Sequence, residues 1–462
     1  MTGIPNLEHI IDKYIHFRDK GRYNPKENSH VAVVIPTFNE IPGDVIKTIN
    51  FGVRTNLSAY SEYGISEPVI DSVCLSDQST DGSSEELKDQ MIESFGVIKK
   101  EYEKLGMPDL IPKVSYLRMH NDMKQLILKD FGERPELGLL IERLNEDRNG
   151  LYGKGINMYL TSILENSKSL IEDRQDKSSI LYFDSEDKHR SVRHFLALSL
   201  PLSHMGDEFV KGAFSRYHTN VDSGIMERGG RVNAGTKGFF EMFSIAGKLP
   251  DVGYPCCGDQ GFSLRLLDDM YSPRDYGIEA SALFQLLSTT NSLNDNTPLL
   301  EGRNYTQVNI KGSDDAPIGV GKPPGDVLEK ISDMAGQVIE GALGVIGYDN
   351  LAREWSTYSD FVDSFEEFQW DALQHYRHRS MVDNAGEVLK ISGGITDEEL
   401  RTATFDAVTN AVDRLYSDPV SEQERLVSRN LMPNRKLRAA LGEKYHLLAD
   451  HIGKQSSNIS AL

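Results

Sequence analysis

The chain has 462 residues, too long for one ordinary core, so one large domain with a substantial appendage is expected. Its 70 Asp and Glu against 50 Lys and Arg leave a formal charge of −20, which argues against a nucleic-acid or anionic-membrane surface; a polyanionic substrate must therefore find a local positive site or a metal. Cys74, Cys256 and Cys257 cannot form a disulfide framework and fit a reducing cytoplasm, while the charged residues 1–23 carry no signal-peptide core and no later stretch is long enough to span a bilayer.

Apolar spacing predicts a short helix over 7–21, and a polar break at 24–29 precedes Val31 to Pro36, a β-branched run that reads as the first strand of the main domain. Val69 to Leu75 predicts a second strand, ending in Ser76 and Asp77 and followed by a turn and a helix from Glu85 to Ile92. A third strand over 112–118, a helix over 155–165, a strand over 180–183 and a helix over 189–200 continue the alternation, which is that of a mostly parallel α/β sheet with covering helices. Beyond about residue 290 a polar stretch and a Gly- and Pro-rich stretch at 316–324 mark a boundary. The last third then reads as helical from Asp326, over 400–415 and over 426–448. Three regions are thus expected: a helical extension at 1–30, the main domain at 31–290 and a mainly helical region at 291–462.

Chemistry concentrates where the predicted strands end. The first runs into Pro36, Thr37, Phe38, Asn39 and Glu40, and the second into LSDQSTDGS at 75–83. A carboxylate at a strand terminus, such as Asp77, can read a base N–H, and Glu40 can reach ribose hydroxyls; Asp81 and Gly82 are also ordinary turn chemistry. Gly153, Lys154 and Gly155 stand before a helix without the remaining residues of a phosphate loop. Either they form a plain turn or Lys154 meets a diphosphate there. The strand over 180–183 ends in Asp184, Ser185, Glu186 and Asp187, hard oxygen donors of the kind that Mg²⁺ or Mn²⁺ prefers, although Ser185 or Asp187 can equally cap the next helix.

Taken together, the P-x-x-N-E strand end, the D-x-S-T-D-G turn and the Asp184/Glu186 pair, a D-x-E variant of the D-x-D metal motif, resemble the nucleotide-binding half of GT-A glycosyltransferases. FVKGAFSRYH at 209–218, GRV at 230–232, YPCCGDQG at 254–261 and YGIEASALFQLL at 276–287 follow in the order of glucosyl-3-phosphoglycerate synthases. Those are retaining enzymes of glycosyltransferase family 81, related to mannosylglycerate synthase. The resemblance covers roughly residues 31–290 and implies a Rossmann-like GT-A fold followed by a helical region. It implies transfer of glucose from a nucleoside-diphosphate donor such as UDP-glucose to 3-phosphoglycerate, making a precursor of the compatible solute glucosylglycerate.

By that resemblance Pro36, Thr37, Asn39, Glu40, Asp77, Gly153, Lys154 and Asp184 face the nucleotide sugar, and Asp184 and Glu186 hold Mg²⁺ or Mn²⁺. Gly230, Arg231 and Asn233 grip the anionic acceptor, where a guanidinium beside backbone N–H groups suits a phosphate and a carboxylate. Asp259 and Glu279 line the sugar pocket as the catalytic acids, either one holding sugar hydroxyls or accepting the acceptor's proton. Asn233 stands where the family has Thr, the Cys256–Cys257 pair replaces Leu-Gly, and the family's metal-ligating His is missing from YTQVNIKGSDDAPIG at 305–319. Asp314 or Asp315 either substitutes for it or belongs to an acidic turn. Rival readings are mannosyl transfer from GDP-mannose to glycerate or a glycosylglycerate, an inverting family 2-type enzyme, and a non-catalytic GT-A scaffold. His189, His194, His204 and His218 lack zinc-ligand spacing. Trp355, Tyr358, Phe361, Phe365, Phe368 and Trp370 form an aromatic stripe expected in the core or in a homodimer contact.

Overall fold

The computed structural model describes residues 7–19, 29–145, 154–185, 190–213, 216–219, 226–228, 231–245, 257–273, 277–309, 313–314, 324–383, 390–391 and 395–461. Eight strands build one sheet: β1 (His30–Thr37), β2 (Ser72–Asp77), β3 (Lys113–Arg118), β4 (Ser178–Tyr182), β5 (Phe209–Ala213), β6 (Gln260–Ser263), β7 (Tyr305–Asn309) and β8 (Ser456–Asn458). Their order is β7-β5-β6-β4-β1-β2-β3-β8. β1 runs parallel to both β2 and β4, β2 parallel to β3, and β5 parallel to β7. β6 is antiparallel to β4 and β5, and β8 is antiparallel to β3. A smaller sheet joins 313–314, 216–219, 226–228 and 390–391. The architecture is therefore the expected Rossmann-like, mostly parallel α/β sheet, followed by a mainly helical region.

Alternation along the strands sends side chains into two cores. Val31, Val33 and Ile35 face the helices Pro42–Tyr63, Ser83–Lys104 and Val192–His204, and the first helix, Leu7–Asp19, closes this side through Leu7, Ile10, Ile11 and Tyr14. Each such fully buried aliphatic side chain contributes about 1.5–3 kcal/mol. Val34, Cys74, Ile180 and Tyr182 face the other way, onto the helices Asn121–Phe131, Lys154–Ile171 and Gly277–Leu287 and the C-terminal helices.

Two expectations change. The sheet does not stop at residue 290, because β7 and β8 lie beyond it and β8 closes the edge beside β3. The run at 426–448 is three helical pieces, Pro419–Ser428, Asn434–Leu441 and Lys444–Gly453. Pro433 cannot donate a helical N–H, and Gly442 takes the left-handed φ of 57° that ends the middle piece. Of the aromatic stripe, Phe361 and Phe365 are core, whereas Phe368 and Trp370 are exposed.

One close helix crossing fixes the placement of Gly277–Leu287. It packs on Pro324–Ile346 at Gly277 and Gly341, where a Cβ on Gly341 would stand 2.5 Å from the Gly277 carbonyl oxygen. Backbone cannot yield as a side chain can, so Gly341→Val should lower stability by about 1–3 kcal/mol or more in urea titration. A Cβ at Gly336, on the same helix, meets nothing, so Gly336→Ala should leave stability unchanged or raise it by up to about 1 kcal/mol. Burial pushes the Asp207 carboxyl, just ahead of β5, up to about 6. A raised carboxyl favours folding below its unfolded value near 4, and that contribution is lost as pH rises through 6. Asp207→Asn should therefore be more stable than the parent protein at pH 7, with the gain vanishing at pH 4.

Candidate functional site

β1, β2 and β3 follow one another outward on one side, while the chain returns to place β4 on the other side of β1. Open α/β sheets bind ligands at the carboxyl ends of the strands flanking such a reversal. The strand-end loops there are clipped together. Asn39 takes a left-handed φ of 53°, its backbone N–H donates to Ser79 Oγ at 2.9 Å, and its Oδ1 accepts from the Thr80 N–H at 2.8 Å. Asn tolerates that conformation better than most residues, which accounts for its place between Phe38 and Glu40. Pro36 and Thr37 close β1. Asp77 is buried at the end of β2, accepting from the Ser79 N–H at 2.8 Å and from the Tyr116 hydroxyl at 2.6 Å. Burial and then the Asp77 charge hold the Tyr116 hydroxyl above its ordinary pKa. The following turn is local, as its composition suggested: Asp81 Oδ1 accepts from the Ser83 N–H and hydroxyl, and Gly82 has φ of 88°.

Beside these loops, the helix Lys154–Ile171 begins and β4 ends. Lys154 Nζ donates to Asp184 Oδ1 and to Glu279 Oε1, both at 2.6 Å. Burial opposes the ammonium charge, but the two carboxylates outweigh it and hold the Lys154 pKa above the ordinary lysine range. The three groups come from positions 154, 184 and 279, and only the fold unites them. Gly258 packs against this centre, and a Cβ there would run into the Asp184 carboxylate and the Lys154 ammonium.

Asp259 is wholly buried one residue later. Its Oδ1 accepts from Arg190 Nη2 at 2.6 Å and from the Asp184 N–H at 3.1 Å, so it steadies the backbone at the end of β4. The Arg190 guanidinium lies 5.0 Å from the Phe183 ring centre. Sequence reasoning passed over Arg190, which stands in a charged run, and gave no role of their own to Gly258 and Tyr116.

Of the expected residues, the structure brings Asp184, Lys154 and Glu279 into direct contact and sets Asp259 behind them. Thr37, Asn39 and Asp77 share the same edge. Gly153, Glu186 and Gly230 lie outside the described residues, as do Asp187, His189, Cys256 and Asp315. Arg231 and Asn233 occupy the first turn of the helix Arg231–Met242, and Asp314 falls in the short strand 313–314. His194 forms a capping box with Ser191, and His204 is buried against Tyr14 with its pKa lowered to about 4 by burial.

Among the described residues, no three His, Cys, Asp or Glu side chains converge as a metal centre. Asp184 supplies one hard oxygen group at the ligand edge, suited in kind to a divalent cation, with Oδ1 already engaged by Lys154. No helix among the described residues is long and apolar enough to cross a membrane.

No family model and no curated protein matches the chain. Among solved structures it is similar to glucosyl-3-phosphoglycerate synthase from Mycobacterium tuberculosis in complex with Mn²⁺, UDP and phosphoglyceric acid, at 16% identity and a TM-score of 0.41, covering 74% of this chain and 83% of that one. Mannosyl-3-phosphoglycerate synthase from Rubrobacter xylanophilus is similar at 14% identity and a TM-score of 0.40, covering 75% and 78%.

The Arg190–Asp259 pair gives a direct test of how the site is braced. Arg190→Met removes the guanidinium from a buried ion pair and should cost about 3–5 kcal/mol in thermal or urea unfolding, whereas Arg190→Met with Asp259→Leu should recover most of that loss.

Proposed function

We propose that the chain is a glycosyltransferase that moves glucose, with retention, from a nucleoside-diphosphate donor to 3-phosphoglycerate or a similar small acid. The observation that carries this reading is the Lys154–Asp184–Glu279 cluster at the sheet's topological switch point. It sets an ammonium and a metal-type carboxylate beside loops suited to a nucleoside. In this reading Pro36, Thr37, Asn39, Glu40 and Asp77 form the nucleoside face, and Gly153 and Lys154 meet the diphosphate. Asp184 and Glu186 would hold Mg²⁺ or Mn²⁺. When bound, that cation neutralises charge on the departing diphosphate.

Lys154 contributes a second, built-in positive charge at the same place, because its ammonium can exchange a carboxylate partner for a phosphate oxygen. Releasing Glu279 from Lys154 frees its carboxylate for a sugar hydroxyl. Asp259 is assigned a positioning role here. A general base must present a lone pair to the acceptor, and Asp259 Oδ1 is already shared by Arg190 and the Asp184 N–H. Gly230, Arg231 and Asn233 bring the acceptor to the helix start at Arg231, where the positive end of the helix dipole favours an anion. A homodimer and a cytoplasmic location belong to the same proposal, as does a role in compatible-solute synthesis.

The test is release of nucleoside diphosphate with Mg²⁺ or Mn²⁺, using UDP-glucose, GDP-glucose and GDP-mannose each against 3-phosphoglycerate and glycerate. UDP-glucose with 3-phosphoglycerate should turn over fastest, and Asp184→Ala or Glu186→Ala should lower kcat by at least about 100-fold in protein that remains folded by circular dichroism. Preference for GDP-mannose and glycerate would move the assignment to the mannosyl rival. Silence with every pair, with no nucleotide binding, would leave a non-catalytic scaffold.

A further inference from the structure

Register places three polar side chains in one row across the sheet. Lys211 on β5 is the direct neighbour of Gln260 on β6 and of Gln307 on β7. Two residues along, Phe209 and Phe262 share that face and belong to the core beneath the site helices, so the row points the same way. Lys211 and Gln260 are completely buried, and Gln307 keeps 7% exposure.

Among the described residues the row has few partners. Lys211 Nζ donates to the Cys257 carbonyl at 3.1 Å, and among the described residues no carboxylate pairs with it. Among the described residues neither the amide nitrogen nor the amide oxygen of Gln260 or Gln307 has a hydrogen-bond partner. Buried charges in folded proteins are paired, and buried amides are bonded, because leaving either dry is costly. Here one ammonium with spare protons stands between two amides that can each donate twice. Nothing in the proposed donor site uses these groups.

Position tells what they serve. Cys257, whose carbonyl caps Lys211, precedes Gly258, the residue pressed against Asp184 and Lys154, and the Gly212 N–H next to Lys211 donates to the Asp259 carbonyl at 2.9 Å. The row is thus one residue removed from the proposed reaction centre, on strands that open at the same edge.

We infer that Lys211, Gln260 and Gln307 form a binding subsite for the oxyanion of a small acid, with the ammonium as counter-charge and the two amides as flanking donors. The subsite deepens the glycosyltransferase reading, on which the choice of acid rests, by naming residues that would select an anionic acceptor. It adds a buried positive charge to those that Lys154 and Arg231 offer an anionic ligand in a chain of net charge −20.

Calorimetric titration of the full chain, with UDP present, tests this using D-glycerate for the carboxylate alone, glycerol 3-phosphate for the phosphate alone and 3-phosphoglycerate for both. Lys211→Met should weaken at least one of these by about 10- to 100-fold, leave UDP affinity within about twofold and leave the ligand-free melting temperature unchanged or higher. Loss confined to glycerate or to glycerol 3-phosphate identifies the group that is bound. Undiminished affinity for all three acids, or a parent protein that binds none of them, overturns the inference. Should Lys211→Met fail to fold, Gln307→Leu at the outer end of the row must show a loss of the same pattern, and its absence counts equally against the subsite. If the parent binds no UDP, the donor reading fails. The subsite is then judged by whether inorganic phosphate or glycerate raises the melting temperature of the parent but not of Lys211→Met.

Discussion

Two carboxylates pressed toward one another at the end of a buried strand repel unless a cation stands between them, and here that cation is covalently part of the chain. Lys154 receives Asp184 from the end of β4 and Glu279 from the first turn of a core helix, each at 2.6 Å. Burial opposes its charge, and the two acids together outweigh that cost. Such a three-way arrangement is costly to leave half-made. It is also well prepared for a ligand that carries its own negative charge and can bring a cation.

The surrounding fold can be read as the means of holding that contact. Gly258 has no side chain because the Asp184 and Lys154 head groups occupy the space a Cβ would need. Gly277 and Gly341 let two helices touch backbone to backbone, which sets the height of Glu279 two residues later. The buried Arg190–Asp259 pair fixes the Asp184 backbone from behind, and Asn39 fastens the β1 loop to the β2 loop in front. Each device comes from a different stretch of chain, so the centre forms only when the sheet and both helical layers are in place.

How much of this was legible in the sequence depended on range. Strand ends rich in turn and acid residues, and the apolar alternation of Val31 to Ile35, announced the sheet and its ligand edge. Asp184, Lys154 and Glu279 were all singled out, but their meeting was not, since positions 125 residues apart leave no local pattern. Arg190 was hidden because a guanidinium in SEDKHRS reads as a solvated charge until burial shows otherwise. Lys211 was hidden within an apolar strand, where only pairing to β6 and β7 reveals two glutamines beside it. The part played by residues beyond 290 was hidden because β7 and β8 are short and stand among helical or polar stretches, so only their pairing to β5 and β3 joins them to the sheet. The run at 426–448 misled because its helical spacing continues across Pro433 and Gly442, where the backbone does not.

A mutant cycle on the central cluster, measured by urea unfolding, tests the account most directly. Lys154→Met alone should destabilise the protein, since it removes the ammonium that both Asp184 and Glu279 contact. Adding Asp184→Asn and Glu279→Gln to it should restore at least about 2 kcal/mol, well beyond the sum of the separate effects. Additive losses within about 0.5 kcal/mol would contradict the account, because they would mean that the three groups do not act as one unit.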